Sequence, residues 1–139
     1  MTGDEASARL VTLVVDVANV MGSRPDGWWK DRAGAATRLL AGLPVMVGRA
    51  VDGPDGESLR IDRIIAVVEG DAKAAGVPDG IDVVRAPTDG DSAIVDAALG
   101  AADSGAPVLV VTADRGLRAR LADGVLVTGP GWFNSLLGR

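Results

Sequence analysis

The chain has 139 residues, 47% hydrophobic and 24% charged, with a formal net charge of −5 and no His, Cys or Tyr. Without His there is no Ser-His-Asp triad or imidazole base, and without Cys there is no thiolate nucleophile, disulfide or nitrogen-sulfur zinc site. Chemistry falls to carboxylates, hydroxyls, amides and cations, in a skewed supply of 16 Asp against 3 Glu and 12 Arg against 2 Lys.

In chain order, residues 1–9 read as a flexible N-terminus whose acidic start, Met1-Thr2-Gly3-Asp4-Glu5, is the opposite of a basic secretory leader. Leu10 to Val15 is a strand-length β-branched run that stops at Asp16, and its unbroken hydrophobicity predicts cover on both faces, as in a parallel sheet. A helical pattern follows over Lys30 to Ala41. Residues 44–59 hold turn chemistry at Val51-Asp52-Gly53-Pro54-Asp55-Gly56 but no assignable element, and stand as an unassigned insertion. Further strands are expected at Ile64 to Val68, Ile81 to Val84, Val108 to Val111 and Val125 to Val127. Helices are expected near Ala72 to Ala75, over Ser92 to Ala102, over Arg115 to Ala122 and around Asn134 to Leu137. This alternation predicts an α/β protein: one domain over 1–139, a Rossmann-like three-layer sandwich around a mainly parallel sheet of about five strands. No apolar run approaches the roughly 20 residues of a membrane helix, so a soluble cytoplasmic protein with no membrane partner is expected.

In such a sheet the strand C-termini share one edge, where ligands bind. Asp16 follows the first strand, Glu69 and Asp71 the second, Asp89 and Asp91 precede a helix after the third, and Asp114 follows the fourth. On the helix from Ser92, a stripe of Val95, Ala98, Leu99 and Ala102 is expected to be buried, with Asp91 on the same side and Asp96 at its border. Asp is also a favoured helix N-cap, and any of these acids could be only that. Gathered at one edge, they would repel one another unless protonated or neutralised by a cation, and a set of carboxylates, amides and water suits a hard ion such as Mg²⁺ or Mn²⁺.

Three segments carry a resemblance. Val14-Val15-Asp16-Val17-Ala18-Asn19-Val20, Asp91-Ser92-Ala93-Ile94-Val95-Asp96-Ala97-Ala98 and Val110-Val111-Thr112-Ala113-Asp114-Arg115-Gly116-Leu117 resemble, in order, the signature segments of PIN-like nucleases, particularly the NYN domain branch. The resemblance implies a Mg²⁺- or Mn²⁺-dependent ribonuclease that hydrolyses phosphodiester bonds with a metal-bound water. It implies Asp16, Asp91 and Asp114 as metal ligands, Asn19 as the residue orienting a ligand, water or phosphate, and Thr112 as a support. Where members often carry two adjacent acids in the second segment, this chain has Gly90 before Asp91, and Glu69, Asp71 and Asp96 are left as candidates for a further acid.

The loop after the first strand adds Arg24, Trp28, Trp29 and Lys30, whose indoles could stack on bases and whose cations could hold phosphates; Arg115 could join them. The competing reading has the indoles packing the loop onto the sheet or meeting a second copy in a homodimer. Trp132 and Phe133 are expected to cap the core. No Walker loop or dinucleotide fingerprint occurs, and Ala18 stands where a dehalogenase-type phosphatase needs a second Asp. RNA is the expected partner, and the alternative is a weakly active or inactive nucleotide-, RNA- or protein-binding domain of the same fold.

Overall fold

The structure, a computed structural model, describes residues 8–139, so the expected flexible terminus lies outside it except for Ala8 and Arg9. Arg9 already belongs to the first strand, β1 (Arg9–Asp16), paired with Leu59. The remaining strands are β2 (Ala50–Asp52), β3 (Ser58–Val68), β4 (Asp82–Arg85), β5 (Val108–Val111) and β6 (Leu126–Thr128). The helices are α1 (Val17–Gly22), α2 (Arg32–Ala41), α3 (Gly90–Asp103), α4 (Arg115–Arg120) and α5 (Pro130–Leu137), with single 3-10 turns at Trp28–Lys30, Pro44–Met46 and Gly70–Ala74.

The sheet runs β2-β3-β1-β5-β6, with β4 also on β3; every pairing is parallel except β2 with β3. The mainly parallel α/β sandwich is therefore present. The insertion at 44–59 resolves into a 3-10 turn, the antiparallel β2 and the first residues of β3. Its strand character escapes a periodicity reading because β2 is only three residues long and the first half of β3 is interrupted by Arg60, Asp62 and Arg63. A bulge explains the rest: Val11 pairs with Ile61 but Thr12 with Arg63, so Asp62 is skipped. Inserting one residue resets the two-residue alternation, so Leu59 and Ile61 share a face with Ile64, Ala66 and Val68.

Alternate β1 residues serve two cores. Val11, Leu13 and Val15 face α1, α2 and Phe133 of α5, whereas Val14 faces Ala93, Ile94 and Ala98 of α3 and Leu117 of α4. The expected helix at Ala72 to Ala75 is a 3-10 turn over Gly70–Ala74, and α2 begins only at Arg32 because Asp31 caps it through the Gly34 N–H. Among the described residues, no helix is long and apolar enough to cross a membrane.

Candidate functional site

The strand β1 is central in the sheet, with β3 on one side and β5 on the other, so the β1/β5 edge is the topological switch point where open sheets form ligand crevices. The two strand ends are laced together there. Asp16 ends β1 and caps α1: one carboxylate oxygen accepts the Asn19 N–H at 3.2 Å and the other accepts the Thr112 hydroxyl at 2.9 Å. Thr112, wholly buried just past β5, also accepts the Asp114 N–H at 3.1 Å. The Asn19 side-chain oxygen accepts the Ala113 N–H at 2.9 Å, and Asp114 caps α4 by accepting the Leu117 N–H at 3.0 Å.

Glu69 leaves the end of β3 and accepts the Gly90 N–H at 2.7 Å, which ties that strand to the start of α3. Asp91 sits in the first turn of α3, and its carboxylate accepts no hydrogen bond from any described residue. Asp16, Glu69, Asp91 and Asp114 all line one cleft of about 810 Å³, with Asn19, Arg24 and Asn134 also on its walls.

The electrostatics separate capping from more than capping. Asp89 caps α3 and is held below the ordinary carboxylate value, chiefly by hydrogen bonds from the Ser92 backbone and hydroxyl. Asp16 is also a cap, yet burial pushes its carboxyl up; the Thr112 and Asn19 hydrogen bonds oppose this, and the charges of Glu69 and Asp91 add to it. Asp91 is raised too, by desolvation and then by the Asp114 and Glu69 charges. Burial first and neighbouring carboxylates second raise Asp16 and Asp91, whereas the hydrogen bonds of a cap act in the opposite direction.

Other expected residues fall elsewhere. Asp71 and Asp96 are exposed and do not line the cleft. The expected α3 stripe is corrected: Ala93, Ile94, Ala98 and Ala101 are buried, Val95 is half-buried, Leu99 is 51% exposed and Ala102 is exposed. Small Ala side chains let the helix lie against the sheet, and Leu99 is turned outward; Asp91 reaches the cleft from the first turn, not by belonging to that stripe. Of the loop residues only Arg24 lines the cleft. Trp28 packs against the core with the Arg32 guanidinium 5.2 Å from its ring centre, and Trp29, 52% exposed, meets it edge-on at 5.9 Å. Lys30 and Arg115 are exposed outside it. At the C-terminal end, Phe133 is fully buried, while the Trp132 indole N–H is held by the Asp52 carbonyl at 3.0 Å.

Sequence reasoning missed the wall built by α5. Asn134, 7% exposed, donates to the Ser23 hydroxyl oxygen at 2.9 Å while that hydroxyl donates to the Val20 carbonyl at 2.6 Å, so the Asn134 amide oxygen is left without a partner among the described residues. The available signal was Thr128-Gly129-Pro130-Gly131, a strand end leading to a Pro-started helix at the same sheet edge.

Gly90 bears on the missing adjacent acid. A Cβ there would collide with a Glu69 carboxylate oxygen, so a larger residue and the inward Glu69 exclude each other. Gly90→Ala is expected to expel the Glu69 carboxylate, a flexible group, and to lower stability by only about 1 kcal/mol through the lost hydrogen bond. Paired urea titrations of Gly90→Ala and Glu69→Gln check this: two near-native midpoints are expected, and a collapse of Gly90→Ala alone would contradict it.

Among the described residues no three acids are grouped so that they could hold a metal ion with their side chains as they stand. The donors nevertheless fit a hard divalent ion in kind: they are all carboxylate oxygens, the neighbouring acids help to raise Asp16 and Asp91, and the Asp91 carboxylate is unconstrained by hydrogen bonds.

No protein-family model matches the chain, and no curated protein is similar to it in sequence. In structure it is similar to a mutant of Rae1 (YacP) from Bacillus subtilis, with a TM-score of 0.64 and 16% identity over 91% of this chain and 74% of that one. The likeness is one of fold.

Proposed function

We propose that the chain is a Mg²⁺- or Mn²⁺-dependent ribonuclease whose reaction takes place in the acidic cleft at the β1/β5 edge. The observation that carries the reading is the meeting of Asp16, Glu69, Asp91 and Asp114, from four separate segments, around one cleft at the switch point. The ordered resemblance of three of those segments to NYN-type PIN-like nucleases supports it, and so does a fold shared with Rae1 (YacP).

Asp16, Asp91 and Asp114 would hold the ion, with Glu69 as the further acid. When bound, such an ion lowers the pKa of water and offsets charge on a phosphoryl oxygen, which supplies hydrolysis to a chain without His. The chain's own residues do the positioning. Thr112 holds the Asp16 carboxylate and the Asp114 backbone with one hydroxyl, so the two acids cannot drift apart independently. Asn19 pins the loop that carries Asp114 through the Ala113 N–H. Arg24 gives the cleft a cation for a non-bridging phosphate oxygen. Asp91 is the one acid free to turn toward the ion.

Purified protein is expected to cleave RNA with added Mn²⁺, and both EDTA and Asp114→Asn are expected to abolish cleavage. Asn at position 114 keeps the N-cap, so the variant should melt near the wild type. Absence of cleavage on varied RNAs, together with no Mn²⁺-dependent rise in melting temperature, would overturn the reading in favour of a binding domain.

A further inference from the structure

A second hollow, of about 470 Å³, opens on the α1, α2 and α5 side of the sheet. Met21, Trp28, Leu39 and Met46 wall it, and Arg38 and Arg49 stand at its rim. Neither guanidinium has a hydrogen bond or ion pair with a described residue. Arg139 lines both this hollow and the acidic cleft, so the two share a wall.

A hollow with one apolar, Trp-bearing wall and free cations at its rim, in a chain of net charge −5, complements a flat, partly apolar body that carries negative charge. Two polar groups narrow the choice. One guanidinium nitrogen of Arg139 is buried without a partner, and its other is only loosely paired, at 3.5 Å, with the Asp26 carboxylate, which also lines the hollow. A nucleobase carries donors and acceptors that can meet the Arg139–Asp26 pair on the wall, whereas an acyl chain would cover that pair and strip its water with nothing in return, at a cost in desolvation.

We propose that this hollow binds a nucleotide: the base lies between the apolar walls beside Trp28, and its phosphate meets Arg38 and Arg49. The proposal rests on the nucleic-acid reading of the neighbouring cleft, and it makes the hollow the seat of a nucleotide flanking the bond to be cut. Trp28, which does not line the acidic cleft, thereby gains a role that the sequence pointed to without locating.

The test is titration of the full chain with adenosine 5′-monophosphate, followed by calorimetry and by quenching of Trp fluorescence. Saturable one-site binding is expected. Arg38→Ala combined with Arg49→Ala should weaken it at least about tenfold with an unchanged melting temperature, since both side chains are exposed. Ala35→Phe, which fills the hollow and keeps its charges, should weaken it as well, and Asp91→Asn should not. Absence of binding, equal binding by the double variant, or loss in Asp91→Asn alone would overturn the proposal. Saturable binding of dodecyl phosphate that the nucleotide cannot displace would overturn it in favour of an acyl ligand. The two readings fail separately: RNA cleavage without nucleotide binding removes the hollow and keeps the nuclease, whereas binding at the hollow without cleavage does the reverse.

Discussion

Asp16→Asn is expected to lower Mn²⁺-dependent RNA cleavage by about 10³-fold or more, beyond the 10–100-fold typical of residues that only support a ligand. Asp16 contributes a buried charge to the wall of the cleft, 7% exposed and held on both oxygens. The replacing amide keeps one oxygen for the Asn19 N–H and offers its NH₂ to the Thr112 hydroxyl oxygen, so the cap and the β1/β5 lacing survive. What disappears is the charge. Loss of activity with a retained melting transition is the outcome that separates a ligand from a structural acid.

The same variant has a pH signature in protein freed of divalent ions. The Asp16 carboxyl is raised above its ordinary value of 3.8 in the folded state, mainly by burial. A raised acid contributes stability that is fully present below the unfolded value and is lost as pH rises through the folded one. The difference in stability between Asp16→Asn and wild type should therefore turn in the variant's favour as pH climbs above about 3.8. Mn²⁺ should reverse the ranking by binding folded wild type better. Melting curves from pH 3 to 7, with and without Mn²⁺, measure both effects; a pH-independent difference would exclude a strained buried carboxylate.

Phe133→Ala is expected to remove about 3–5 kcal/mol, a large share of the roughly 5–15 kcal/mol that holds a domain together. Phe133 is the sole Phe of the chain and is fully buried in the core shared by β1, α1 and α2. Small aliphatic neighbours such as Val20 and Ala36 cannot expand to refill an aromatic volume, so a cavity remains. The helix it anchors also carries Pro130, Gly131 and Asn134 into the cleft, so substrate affinity should fall with stability. Urea unfolding should show a lower midpoint at an unchanged slope, and Phe133→Leu should recover most of the loss.

Strand runs such as Val108 to Val111 announce themselves because a parallel strand buried on both faces must be apolar throughout. The first half of β3 does not, since Arg60, Asp62 and Arg63 interrupt its apolar run and the bulge at Asp62 breaks the alternation that a reader would follow. Asp16 and Asp114 were legible as strand-end acids, because the C-terminal edge of a parallel sheet is fixed by topology. Glu69, Asp71 and Asp96 could not be ranked: which of them turns inward depends on the Glu69 bond to the Gly90 N–H, a contact 21 residues apart in sequence.

The absence of His and Cys and the dominance of Asp restrict the chemistry before any folding is considered, because only hard oxygen donors remain. Composition and periodicity likewise determine the parallel α/β sandwich, since local patterns encode which faces are covered. Which acids share a cleft, that Trp28 lines a separate hollow and Arg24 the acidic one, and that Asn134 joins the site were decided only by tertiary structure. These are relations between segments up to about a hundred residues apart, set by strand order, a bulge and the seating of one helix, and no local pattern of residue types records them.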